Sequence, residues 1–146
     1  MNPLDYAMQI ELQGKEYYLE QASLMEDSAL REILQGLAAD EERHYQFVKQ
    51  IKESGLYDYQ ERIMDYDVTE IFEGAVKDPN YITVYQRAVE FENRAVELYR
   101  ELARDAISDG EREAFQMLVR EEEAHREVLQ KVLDTLQRPE EYYSNL

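Results

Sequence analysis

The sequence predicts an all-α protein, an antiparallel four-helix bundle built as two helical hairpins joined by a long crossover. Three observations predict it. Apolar residues recur at spacings of three and four along four segments. Helix-start and helix-stop residues bracket those segments. The second half of the chain also repeats the first in register.

Asn2 before Pro3 reads as an N-cap followed by proline at the first helical position, opening a helix over about residues 3–25. Asp27 or Ser28 can cap a second helix over about 28–54, which stops at Gly55. Thr83-Val84-Tyr85-Gln86 has the capping-box form and predicts a third helix over about 84–107. Ser108-Asp109-Gly110-Glu111 is another such box, starting a fourth helix over about 109–137, ahead of Pro139. Helices one and two are joined tightly, as are three and four. Residues 55–83 are too many for a hairpin turn and form the crossover, within which Val68 to Val76 is predicted as a short helix. No flexible linker interrupts the chain, so residues 1–146 are expected to form a single domain, ending in a short tail.

A shift of 81 residues superposes the two hairpins. It places Glu11 on Glu92, Gly14 on Ala95, Tyr18 on Tyr99, Glu41 on Glu122 and His44 on His125. The helix-cap candidates follow, Asn2 falling on Thr83 and Asp27 on Ser108. Two copies related by an approximate two-fold axis are implied.

Each apolar stripe is interrupted by an acid. Helix one reads Leu4, Ala7, Glu11, Gly14, Tyr18, Met25; helix two reads Leu34, Leu37, Glu41, His44, Val48, Ile51. Helix three reads Tyr85, Ala88, Glu92, Ala95, Tyr99, Ala106, and helix four Phe115, Leu118, Glu122, His125, Leu129, Val132, Leu136. An ionised carboxylate in an apolar interior must neutralise or find a partner, and four together repel one another. No Arg or Lys occupies the stripes. Two divalent cations would balance the four charges, and carboxylate with imidazole is a suitable donor set. Glu41 with His44, and Glu122 with His125, stand at i and i+3 and so leave one helical face together. The candidate metal ligands are therefore Glu11, Glu41, His44, Glu92, Glu122 and His125. Tyr18 and Tyr99 face the core two turns beyond Glu11 and Glu92, placed to hydrogen-bond a ligating carboxylate or simply to fill the core. Gly14 and Ala95 are small where the stripes would crowd the metals, leaving room for a small ligand or for close helix packing. Glu42, Glu121 and Glu123 are expected to be surface charges.

Composition narrows the chemistry. There is no cysteine, which removes disulfides, thiol catalysis and thiolate-bound iron. The net charge of −17 opposes nucleic acid and anionic membrane surfaces as partners. No apolar run approaches the length of a membrane span, and the first residues lack the pattern of a secretory signal. A cytoplasmic location is the expectation.

At Glu11-x-x-Gly14-x-x-x-Tyr18, Glu41-x-x-His44, Glu92-x-x-Ala95-x-x-x-Tyr99 and Glu122-x-x-His125, the sequence resembles the rubrerythrin branch of the ferritin-like diiron-carboxylate family. The resemblance covers nearly the whole chain and implies a ferritin-like bundle with two iron ions, manganese or zinc being alternatives. It implies bridging roles for Glu41 and Glu122, and terminal ones for Glu11, Glu92, His44 and His125. Rubrerythrins carry a Cys-ligated rubredoxin-like domain, absent here as in the shorter erythrin-like members. They also place an extra carboxylate one turn after the third-helix Glu, where this chain has Ala95, giving the six-ligand pattern of bacterioferritins.

The expected function is reduction of hydrogen peroxide or dioxygen by a diiron oxidoreductase, with Glu41, Glu122, Tyr18 and Tyr99 as the candidate catalytic set. An external electron-donor protein such as a rubredoxin must then re-reduce the iron, and a homodimer is expected. Ferroxidase activity in iron handling or storage is the alternative. A metal-stabilised interaction module without turnover is a third reading.

Overall fold

The computed structural model describes residues 2–57, 59, 61 and 79–138. Four helices account for nearly all of them: α1 (Pro3–Leu24), α2 (Ser28–Ser54), α3 (Pro79–Arg104) and α4 (Asp109–Leu136). They form an all-α, ferritin-like four-helix bundle. Helices pack most closely within each hairpin, α1 on α2 and α3 on α4, and α1 also approaches α3. The predicted short helix at Val68–Val76 and the tail from Pro139 lie outside the described residues. No helix among the described residues is long and apolar enough to cross a membrane.

The caps explain where the helices begin. Asn2 Oδ1 accepts from the Leu4 N–H, and Asp27 Oδ1, rather than Ser28, accepts from the Leu30 N–H. Ser108 Oγ accepts from the Glu111 N–H at 3.1 Å, while Glu111 reaches back to the N–H of Ile107, one residue before the cap. Each such cap stabilises its helix by about 1 kcal/mol. Gly55 ends α2 in the left-handed region at φ 67°, its N–H bonded to the Ile51 carbonyl, a conformation open to glycine at little cost.

The third helix corrects the sequence reading. It begins at Pro79, a full turn before the Thr83–Gln86 capping box, and ends at Arg104 rather than near residue 107. Proline has the φ of a first helical residue and lacks the N–H that such a position leaves unpaired, so it starts a helix without any cap. Thr83 thus lies inside the helix, and Ala106 lies beyond it, with Ala103 taking the buried position.

Three tyrosines tie the hairpins together near the α1–α2 turn. Tyr17 Oη donates to the Val84 carbonyl, Tyr85 Oη donates to the Leu30 carbonyl, and Tyr81 Oη accepts from the Glu26 N–H. Two apolar clusters fill the bundle. One holds Tyr18, Leu30, Leu34, Leu37, Tyr85, Leu129 and Leu136. The other holds Ala7, Phe47, Val48, Tyr99, Phe115 and Leu118. The acids of the four stripes lie between them along each helix.

Candidate metal centre

Glu11, Glu41, His44, Glu92, Glu122 and His125 are all fully buried. The helical register that buries Leu37 and Val48 on α2 buries Glu41 and His44 with them, and α4 repeats this with Leu118, Glu122, His125 and Leu129. Two overlapping groups result. Glu11, Glu41, His44 and Glu122 offer ligand atoms within 4.8 Å of one another, and so do Glu41, Glu92, Glu122 and His125. Glu41 and Glu122 belong to both groups. All six residues chosen from the sequence are brought together.

The atoms facing one another lack hydrogen bonds. Glu11 Oε2, Glu92 Oε2, both oxygens of Glu41, both of Glu122 and Nδ1 of each histidine are buried without a hydrogen-bond partner. They are nevertheless close: His44 Nδ1 lies 2.6 Å from Glu122 Oε1, and His125 Nδ1 lies 3.0 Å from Glu41 Oε1. Lone pairs converging on shared points, at distances suited to hydrogen bonds but not aligned for them, fit a pair of cations better than any protein donor.

Every other polar atom of the cluster is engaged, and the engagement is two-fold. Tyr99 Oη donates to Glu11 Oε1 at 2.6 Å, and Tyr18 Oη donates to Glu92 Oε1 at 2.5 Å. Each phenol crosses from its own hairpin to the other and occupies one oxygen of a carboxylate. On the far side of the imidazoles, His44 Nε2 lies 3.0 Å from Glu121 Oε1, and His125 Nε2 lies 3.0 Å from Asp40 Oδ2. A carboxylate accepting from Nε2–H leaves Nδ1 as the lone-pair nitrogen aimed inward, the tautomer a metal needs. The two imidazoles stack at 5.7 Å between centroids.

Glu121 corrects the sequence reading, which placed it on the surface. It is 2% exposed, whereas Glu42 and Glu123 are only partly buried and pair with Lys15 and Arg100. Asp40 is the second residue that sequence reasoning missed. A signal existed: the 81-residue shift that matches the ligands also matches Asp40 to Glu121, an acid immediately before each Glu-x-x-His. Arg43 binds Asp40 at 2.8 Å and lies 3.9 Å from Glu121, so one guanidinium serves both outer carboxylates. Tyr59, from the crossover, donates to Glu121 at 3.1 Å and lies beneath Arg43.

Electrostatics measure the strain among these groups. Burial, then Glu11 and Glu122, pushes the Glu41 carboxyl well above its usual value. Glu122 is raised likewise by burial, Glu92 and Glu11. Burial opposes a charged His125, yet Glu92 and the Asp40 hydrogen bond overcome it and lift the imidazole to about 10. His44 is raised well above the imidazole range in the same manner, Glu11 and Glu122 outweighing burial. Burial also tends to raise Glu92, but hydrogen bonding and His125 bring it below its usual value. The protein groups alone thus hold protons to offset charge, and cations would displace them.

The rubrerythrin family profile matches residues 2–133. The chain belongs to the rubrerythrin family. No curated protein and no solved structure matched it. Membership in the rubrerythrin family implies a diiron centre, and the buried carboxylate–histidine cluster is a group among the described residues that could hold metal.

Proposed function

We propose that this rubrerythrin-family protein is a non-haem diiron oxidoreductase that reduces hydrogen peroxide, with dioxygen as the other candidate oxidant. The carrying observation is the set of buried unpartnered oxygens and Nδ1 atoms on Glu11, Glu41, His44, Glu92, Glu122 and His125. Glu41 and Glu122, common to both groups, are the proposed shared ligands, and the other four are the proposed terminal ones.

Two ferrous ions held by these six residues would supply two electrons and Lewis acidity. The balance is one peroxide, two electrons and two solvent-derived protons giving two waters, with the O–O bond broken. The chain's residues arrange the setting. Glu121 and Asp40 fix the imidazole tautomers. Tyr18 and Tyr99 hold Glu92 and Glu11 through one oxygen each. Burial and the adjacent carboxylates push both phenols well above their usual range, so they keep their protons and act as hydrogen-bond donors. They are positioning residues in this scheme. These 146 residues hold no cysteine to ligate a relay iron, and the proposed electron donor is a separate protein such as a rubredoxin.

Rapid mixing of diferrous protein with one equivalent of peroxide tests the reading. Rapid, stoichiometric formation of the diferric absorbance is expected, and its absence would overturn the proposal. One observation favours a second reading, ferroxidase activity in iron handling. Ala95 is buried where rubrerythrins place an extra carboxylate, leaving six ligands. Sedimentation separates them: a homodimer accords with the enzyme, a large hollow assembly with storage.

A further inference from the structure

We propose that the Phe91 ring is a size filter on the α1/α3 side of the centre, admitting oxidants of peroxide size and excluding bulkier hydroperoxides. The proposal rests on the oxidoreductase reading and adds a selectivity to it.

Gly14 and Ala95 correspond in the repeat, yet only Ala95 carries a Cβ. The space left at Gly14 is taken by Phe91. A Cβ built on Gly14 would lie 2.6 Å from Phe91 Cε1, 2.9 Å from Phe91 Cζ and 3.4 Å from Glu41 Oε2. The edge of the ring and one unpartnered oxygen of a shared carboxylate therefore flank a single point. Residue 14 must lack a side chain for the ring to reach that depth. The sequence left open whether Gly14 makes room for a ligand or for packing; an aromatic edge occupies the room.

Outside the ring lies a recess of about 290 Å³ lined by Tyr6, Gln9, Ile10, Gln13, Phe91 and Arg94. Its volume is several times the ~30 Å³ that one water takes up in the liquid. The recess itself would admit an alkyl hydroperoxide, and Phe91 is the lining residue whose ring edge also reaches the point beside Glu41 Oε2. Phe91 is half-buried and meets Tyr18 edge-on at 6.4 Å between centroids. A phenyl ring turning about its side-chain torsions opens a narrow gap at small cost, whereas a wide one needs the ring to leave altogether. The equivalent place in the other hairpin has Ile10 in place of Phe91 and a methyl already on Ala95. On the imidazole side, Asp40, Glu121, Arg43 and Tyr59 interlock instead.

The test compares wild type with Phe91→Ala and Phe91→Leu, each loaded with iron and checked for native melting. Binding of azide and of benzohydroxamate to the diferric protein is followed by absorbance, and turnover with hydrogen peroxide and cumene hydroperoxide is measured alongside. Phe91→Ala should raise the benzohydroxamate-to-azide ratio, and the cumene-to-hydrogen-peroxide ratio, by about tenfold or more, a span typical of steric discrimination in a pocket. Phe91→Leu should fall between, and it carries the test if the alanine variant does not fold. Because each variant must melt as the wild type does, general loosening of the bundle does not produce the result. Unchanged ratios, or wild type taking the bulky ligand as readily as azide, overturn the filter. Should wild type react with no peroxide at all, the oxidoreductase reading falls, and the ligand-binding ratios still decide the filter.

Discussion

The two hairpins match closely at the cluster and diverge one layer out. Inside, every link has its counterpart: Tyr18 to Glu92 and Tyr99 to Glu11, His44 to Glu121 and His125 to Asp40. Outside, Arg43 corresponds to Ala124, Phe91 to Ile10 and Gly14 to Ala95. Tyr59 from the crossover engages Glu121, the partner of His44. Where charge must be neutralised at two equivalent points, the repeat stays two-fold. Where a side chain only controls access or supports a neighbour, the copies are free to differ. The two cations of such a centre would have similar ligands and unlike surroundings.

Removing a shared carboxylate tests the inner symmetry most severely. Glu41→Leu or Glu122→Leu should abolish binding of both metals rather than one, as measured by metal analysis of the purified protein. Each should also raise the melting temperature of chelator-treated protein, because an apolar residue replaces a buried carboxyl whose oxygens have no hydrogen-bond partner. Loss of a single metal would show that these two residues are not shared.

Metal removal from the intact chain comes next in size. At metal concentrations a hundredfold above Kd, each bound ion adds about 3 kcal/mol of stability, roughly 10 °C in Tm for a chain of this length. The difference should depend on pH with a definite sign. Glu41 and Glu122 hold protons in the folded state that the unfolded chain surrenders above about 4.5. His125, raised to about 10, holds one that the unfolded chain surrenders above about 6.5. Stability from raised pKa values is present below the unfolded values and lost as pH climbs through the folded ones. Chelator-treated protein should therefore melt highest in mild acid and progressively lower toward pH 10. The loaded protein should show the opposite trend up to neutrality, since binding needs those protons released. Parallel pH curves would contradict the assignment.

A smaller effect probes the outer layer. Asp40→Asn and Glu121→Gln should each weaken metal binding about 10–100-fold, as expected when the acceptor orienting a ligating histidine is impaired. Titration with a competing chelator reads this directly. Asp40→Asn should disturb the His125 half and Glu121→Gln the His44 half, so paramagnetic shifts of the two imidazoles separate them. Of the same order are Tyr18→Phe and Tyr99→Phe, each removing one hydrogen bond to a carboxylate worth about 1.5–3 kcal/mol. Their effects on metal affinity should be nearly equal, and a marked inequality would break the inner symmetry.

The features legible in the sequence were those with a period. Helical stripes exposed the bundle, and buried acids within them exposed Glu11, Glu41, Glu92 and Glu122, because a charge at a core position has no bland explanation. Glu121 escaped because it stands beside a ligand in an acid-rich chain, where one more glutamate carries no compositional signal. Only burial distinguishes it from Glu123, two residues away. The start of α3 was misplaced because a capping box and a proline competed, and the proline's preset φ prevailed. Tyr59 and Phe91 act through contacts between distant parts of the chain, which no local pattern encodes.

The division of the interior into two apolar clusters has a mechanical consequence. Dispersion and solvent exclusion clamp the bundle at both ends, while its waist is held by polar groups that repel until cations join them. Such a molecule behaves like a rod with a joint at its midpoint. Amide exchange in chelator-treated protein should accordingly be fastest near Glu11, Glu41, Glu92 and Glu122, with slower segments on either side, and metal should stiffen the waist selectively.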